Sequence, residues 1–85
     1  MSYTTKGVIK EIKDTVEIGN FKKREFILDV TEGQYTNQVA LQFTKDKVNV
    51  MDNYSIGQTV EVSFNISSRE HKGSWYTSLN AWKIS

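Results

Sequence analysis

The sequence predicts an all-β fold, a small closed barrel of five strands with one short helix between the third and the fourth. Three observations carry that reading. Val60, Val62, Phe64 and Ile66 interleave without a break with Glu61, Ser63, Asn65 and Ser67, the period of a strand with one face on a core. The same alternation recurs in Phe26, Leu28 and Val30, and again in Val39, Leu41 and Phe43. Four of the five glycines, at 19, 33, 57 and 73, punctuate these runs where turns belong.

The first strand, from about Tyr3 to Val16, is the least regular. Gly7 and Ile9 share one parity, whereas Val8, Ile12 and Val16 share the other. A glycine together with a switch of apolar parity predicts a bulge or a sharp bend. Gly19-Asn20 then breaks the first strand from the second, and Glu32-Gly33 breaks the second from the third. After the third strand the spacing changes. Val48, Met51 and Tyr54 recur at three-residue steps, with Thr44 available as N-cap and Asp46 in the first turn, which predicts a short helix over 45–55. The fourth strand carries the 60–67 alternation and turns at Lys72-Gly73 into the fifth, Trp75 to Ile84. There Thr77, Leu79 and Ala81 are expected inward, because the other parity holds Ser78 and Asn80. Trp75 is then inward, and Tyr76 and Trp82 are outward.

Three strands, a short helix and two strands, with a bent first strand able to pair on both sides, is the order of the OB-fold, a five-stranded Greek-key barrel. SH3-like barrels are the main rival, but they usually lack a helix between strands three and four. The whole chain, residues 1–85, is expected to be one domain with no room for a second core.

Composition narrows the chemistry. There is no cysteine and a single histidine, His71, so neither a disulfide framework nor a set of transition-metal ligands is expected. No cofactor is expected either, because no two glycines stand close enough to form a phosphate-cradling loop. The carboxylates are scattered over alternating surface positions, and no nucleophile–base–orienter set is readable, so the chain is not expected to be an enzyme. No apolar run approaches the ~20 residues of a membrane span, and the N-terminus lacks the apolar segment of a signal peptide, so a cytosolic protein is expected.

Eleven Lys and Arg against ten Asp and Glu leave a formal net charge of only +1. Attraction to phosphate must then come from local clustering. Two clusters exist: Lys22, Lys23 and Arg24 at the start of the second strand, and Arg69, His71 and Lys72 around the turn between the last two.

Particular segments add a resemblance. Lys22-Lys23-Arg24-Glu25-Phe26-Ile27-Leu28, Ser68-Arg69-Glu70-His71-Lys72-Gly73-Ser74-Trp75-Tyr76-Thr77 and the closing Ala81-Trp82-Lys83-Ile84 resemble a family of short bacterial and phage OB-fold proteins. Ser55-Ile56-Gly57-Gln58-Thr59-Val60-Glu61-Val62 is similar to the glycine turn that often leads into the fourth strand of OB-folds. The resemblance implies kinship with single-stranded-DNA-binding and primosomal proteins, and through them a role beside replication or repair proteins.

In an OB-fold, ligand crosses the face of strands two and three between the loops joining strands one to two and four to five. Both basic clusters sit at those loops. Lys22, Lys23 and Arg24 are expected to contact phosphates as a strip, with Arg69, His71 and Lys72 closing from the other side. Trp75 and Tyr76 are neighbours on a strand and point to opposite faces, so one belongs to the core and Tyr76 is the better stacking partner for a base. Phe21 either stacks or covers the barrel rim. Trp82 either stacks, caps the barrel end or forms a dimer contact. Ile27 is an outward apolar residue on strand two, with Gln42 beside it on strand three to supply hydrogen bonds. Phe26, Phe43 and Phe64 are core. The expected function is binding of single-stranded DNA or RNA with little sequence preference, strengthened by assembly into dimers or larger rings. The alternative is an OB-fold module that binds protein in a larger assembly.

Overall fold

The structure is a computed structural model that describes residues 2–85; Met1, the first residue of the expected domain, lies outside the described residues. Its elements are β1 (Ser2–Ile12), β2 (Val16–Ile18), β3 (Phe21–Glu32), β4 (Tyr35–Thr44), a 3-10 helix (Lys45–Asn53), β5 (Thr59–His71) and β6 (Ser74–Ile84). The strands run in the order β1-β5-β6-β4-β3-β2, and a second pairing of β1 with β3 closes the sheet into a barrel. This is the expected OB-fold, with β2 as an extra strand.

Closure depends on β1 serving two partners. Its first part, Ser2 to Val8, pairs with β5, and Val8 to Ile12 pairs with β3. Where the strand passes from one to the other, Gly7 lies against the β3 backbone, and a Cβ there would stand 2.6 Å from the Asp29 carbonyl oxygen. Just beyond, the register skips from Ile9 to Glu11, leaving Lys10 as the extra residue of a bulge. That bulge is the physical cause of the parity switch in the sequence, because Ile9 and Ile12 both reach the core across it. The strand does not continue to Val16 as expected. It ends at Ile12, and Val16–Ile18 form the separate β2, which pairs with β3 alone.

The core holds Ile9, Phe26, Leu28, Leu41, Phe43, Met51, Val60 and Val62 with essentially no solvent exposure. Each is worth roughly 1.5–3 kcal/mol of burial. Phe26 and Phe43 stack on neighbouring strands with ring centroids 5.5 Å apart. The helical insert closes one end of the barrel. Its apolar residues recur every three positions because a 3-10 helix has three residues per turn, and this puts Val48 and Met51 on one buried stripe. Tyr54 follows on the same side and donates to the Ile84 carbonyl at 3.1 Å. Thr44 does not cap the helix with its side chain, contrary to expectation. Its backbone is still extended, and the chain turns only at Lys45, which has a φ of 57°.

The β5–β6 hairpin corrects two further expectations. Ile66 and Trp75 lie on the core-side parity, yet they are 48% and 67% exposed. The hairpin outruns the barrel. β6 pairs with β4 only where Asn80 meets Gln42, so among the described residues the part nearer the hairpin tip has no ladder partner on the edge away from β5. Its turn, Lys72-Gly73, has positive φ at both positions, 51° and 81°, the backbone of a tight two-residue hairpin.

Candidate nucleic-acid interface

Between the β2–β3 hairpin and the β5–β6 hairpin runs an open groove of about 860 Å³. Alternation decides which side chains enter it. On β3 the residues in phase with buried Phe26 and Leu28 face the barrel, so Phe21 and Lys23 face out into the groove, whereas Lys22 and Arg24 do not. On β5, Ser67, Arg69 and His71 face the groove, and on β6, Tyr76, Ser78 and Asn80 do so. Arg69 pairs directly across from Tyr76, Ser67 from Ser78, and Asn65 from Asn80.

Of the nine expected site residues, Phe21, Lys23, Arg69, His71 and Tyr76 meet in this groove. The expected strip of three cations does not form, because consecutive strand residues cannot share a face. Lys22 turns away and pairs with Glu17 at 3.6 Å. Arg24 is a brace: its guanidinium donates to the carbonyls of Lys13 (2.9 Å) and Val48 (3.4 Å) and to the Asp52 carboxylate (2.6 Å). With its side chain only 16% exposed, it offers little to a ligand. Lys72 sits at the hairpin tip, outside the groove lining. Trp82 is also outside it, where the β5–β6 register skips and leaves it opposite no residue of β5. Trp75 and Tyr76 do point to opposite faces, but neither is core; Tyr76 is 60% exposed.

The groove floor is polar and internally tied. Gln42 donates its amide to Asn80 Oδ1 at 2.8 Å, and Asn80 donates in turn to Ser67 Oγ at 2.9 Å. This chain crosses β4, β6 and β5 and fixes both amides, leaving Gln42 Oε1 and one amide hydrogen of each residue to a ligand. Asn80, Ser78 and Ser67 were readable as outward by parity, but nothing in their residue types set them apart from ordinary surface. Ile18, which walls the groove beside Phe21, was missed because it belongs to the three-residue β2. The groove thus joins two cations and a histidine to two exposed aromatic rings over a hydrogen-bonding floor. Among the described residues no cluster of His, Cys, Asp and Glu could hold a metal, and no helix is long and apolar enough to cross a membrane.

Residues 4–85 match a family model described as a domain of unknown function, DUF3127. The chain belongs to that family. Solved structures similar to it carry the same fold at low sequence identity. The mitochondrial single-stranded DNA binding protein Rim1 of S. cerevisiae superposes with a TM-score of 0.80 at 16% identity, covering 100% of this chain and 92% of that one. A small single-stranded DNA-binding protein from Streptomyces coelicolor gives 0.67 at 17% identity, with the same two coverages of 100% and 92%. The dimeric N-terminal domain of a PriB protein from Thermoanaerobacter tencongensis gives 0.71 at 18% identity, covering 99% of this chain and 92% of that one. These neighbours are named for binding or for a PriB domain, not for catalysis. No curated protein matches the chain in sequence.

Proposed function

We propose that this family member binds single-stranded DNA in the groove between its two hairpins. The observation that carries the proposal is the convergence of Lys23, Arg69, Phe21 and Tyr76 in one open groove, drawn from hairpins far apart in sequence. Lys23 and Arg69 hold phosphates, and Tyr76 and Phe21 offer ring faces to unstacked bases. A duplex has no unstacked bases to offer, so single strands are preferred. The near-neutral net charge makes affinity per subunit modest, and dimers or larger assemblies would add avidity. The likeness to single-stranded-DNA-binding proteins and to a PriB domain supports a place where replication or repair exposes single strands. The role is binding, without catalysis. Amide NMR of the labelled protein titrated with a short polythymidine strand tests the assignment. Shifts should concentrate at residues 21–23, 67–71 and 76–80. Shifts confined to the opposite side of the β5–β6 hairpin, around Ile66 and Trp75, would instead favour a protein-binding module.

A further inference from the structure

The groove is not the end of the polar face. Along β6, Ala81 is buried opposite Phe64, and Ile84 packs on the core opposite Val62. Between them Lys83 pairs with Ser63, and Trp82 is the extra residue of the bulge. The inserted residue shifts the phase of the strand. Without it Lys83 would point into the barrel; with it, Lys83 stands on the same outer face as Tyr76, Ser78 and Asn80. Trp82, two residues after Asn80, is on that face by its own parity. Its indole N–H donates to Ser2 Oγ at 3.2 Å, and Ser2 belongs to β1, two strands away across β5. Strands lie about 4.8 Å apart, so the indole must reach over β5 to make this bond. Ser2 is opposite Asn65 and out of phase with Tyr3, which stacks on Phe64. The ring therefore lies over the outer side of β5, 43% exposed, beyond the groove floor at Asn80. Lys47 donates to the Trp82 carbonyl at 3.0 Å and adds a second cation nearby.

Resting on the groove reading, we infer that Trp82 is a second stacking station, so that a single strand leaving the groove over Asn80 continues along β6 to the Trp82 indole, with Lys83 and Lys47 beside its phosphates. The face ends past Ser63 at Glu61, opposite Lys6. Continuity selects the occupant: Tyr76, Ser78, Asn80 and Lys83 form one uninterrupted row of outward side chains running from the groove to the indole.

The test uses strand length. OB-folds occupy about 4–16 nucleotides, so polythymidines of about 4 and about 12 separate a groove-only ligand from one that reaches Trp82. In the Trp75→Phe variant Trp82 is the sole indole, and Trp75 faces away from the groove. The longer strand should quench its fluorescence and the shorter should not. In the otherwise native protein, Trp82→Ala should weaken the longer strand by about tenfold and leave the shorter within about twofold. Tyr76→Ala should weaken both. Quenching in the Trp75→Phe protein does not require Trp82 to be removed, so it decides the matter even where Trp82→Ala folds poorly. Normal binding of both strands with no quenching, or with a changed oligomeric state in Trp82→Ala, overturns the second station and leaves the groove standing. Failure of both strands to bind overturns the groove and the station together.

Discussion

Arg24 and Asp52 are joined at 2.6 Å, and the bond ties the start of β3 to the 3-10 helix that closes the barrel. The same guanidinium holds the Lys13 carbonyl of the segment between β1 and β2. A residue that reads in sequence as one of three phosphate-binding cations is therefore a clamp on three segments. Arg24→Ala should lower stability by about 1–2 kcal/mol, through lost hydrogen bonds and packing more than through the exposed ion pair itself. In a domain this small the melting temperature should fall by about 4–15 °C, read by circular dichroism. Arg24→Lys keeps the charge but cannot fork, and it should recover only part of the loss.

Adjacent Lys22 and Lys23 provide the sharpest contrast at the groove. Lys23 lines it, whereas Lys22 faces the other way beside Glu17. Lys23→Glu should weaken single-strand binding by about tenfold and flatten its log–log salt slope by roughly 0.7 or more, since a phosphate contact is lost and a repulsion gained. Lys22→Glu should change the affinity by less than about threefold. Equal effects in salt-titrated anisotropy would mean that long-range charge matters and the groove does not.

Gly7 is required by a close approach. A methyl group at this position would meet the Asp29 carbonyl oxygen at 2.6 Å, and that atom is backbone, held in the β1–β3 ladder. Gly7→Ala should cost about 1–3 kcal/mol by forcing the two strands apart where the barrel closes. Urea unfolding gives the value, and an unchanged midpoint would show that β1 can shift without cost.

How much of this was legible follows from which signals are local. The strict alternation in β5, and at Phe26 and Leu28 or Leu41 and Phe43, identified strands, faces and core because the pattern is repeated and the burial is complete. The parity switch in the first strand correctly marked the Lys10 bulge. What stayed hidden depends on where the barrel ends. Trp75 and Ile66 have core-side parity, but the hairpin has already left the core, and no local pattern announces that. Arg24 has the composition of a phosphate ligand, and its partners Lys13, Val48 and Asp52 come from elsewhere in the chain. The Trp82 bulge leaves no mark either, since Ala81-Trp82-Lys83-Ile84 is compatible with a regular strand.

The hairpin turn offers a separate check on stability against binding. Lys72 holds a φ of 51°, a region that costs most side chains about 1 kcal/mol and asparagine less. Lys72→Asn creates the favoured Asn-Gly pair for this turn and should stabilise by about 0.5 kcal/mol. Because Lys72 lies outside the groove lining, strand affinity should fall by less than about threefold despite the lost cation. Parallel melting and binding curves on one preparation separate the two effects.

The central claim is that the groove takes single strands. Its most direct test is an anisotropy titration of a labelled polythymidine strand and a matched duplex, each at low and at physiological salt. The account predicts saturable binding of the single strand that weakens as salt rises, with the duplex much weaker throughout. Equal affinity for strand and duplex, or no binding of either at low salt, would contradict it.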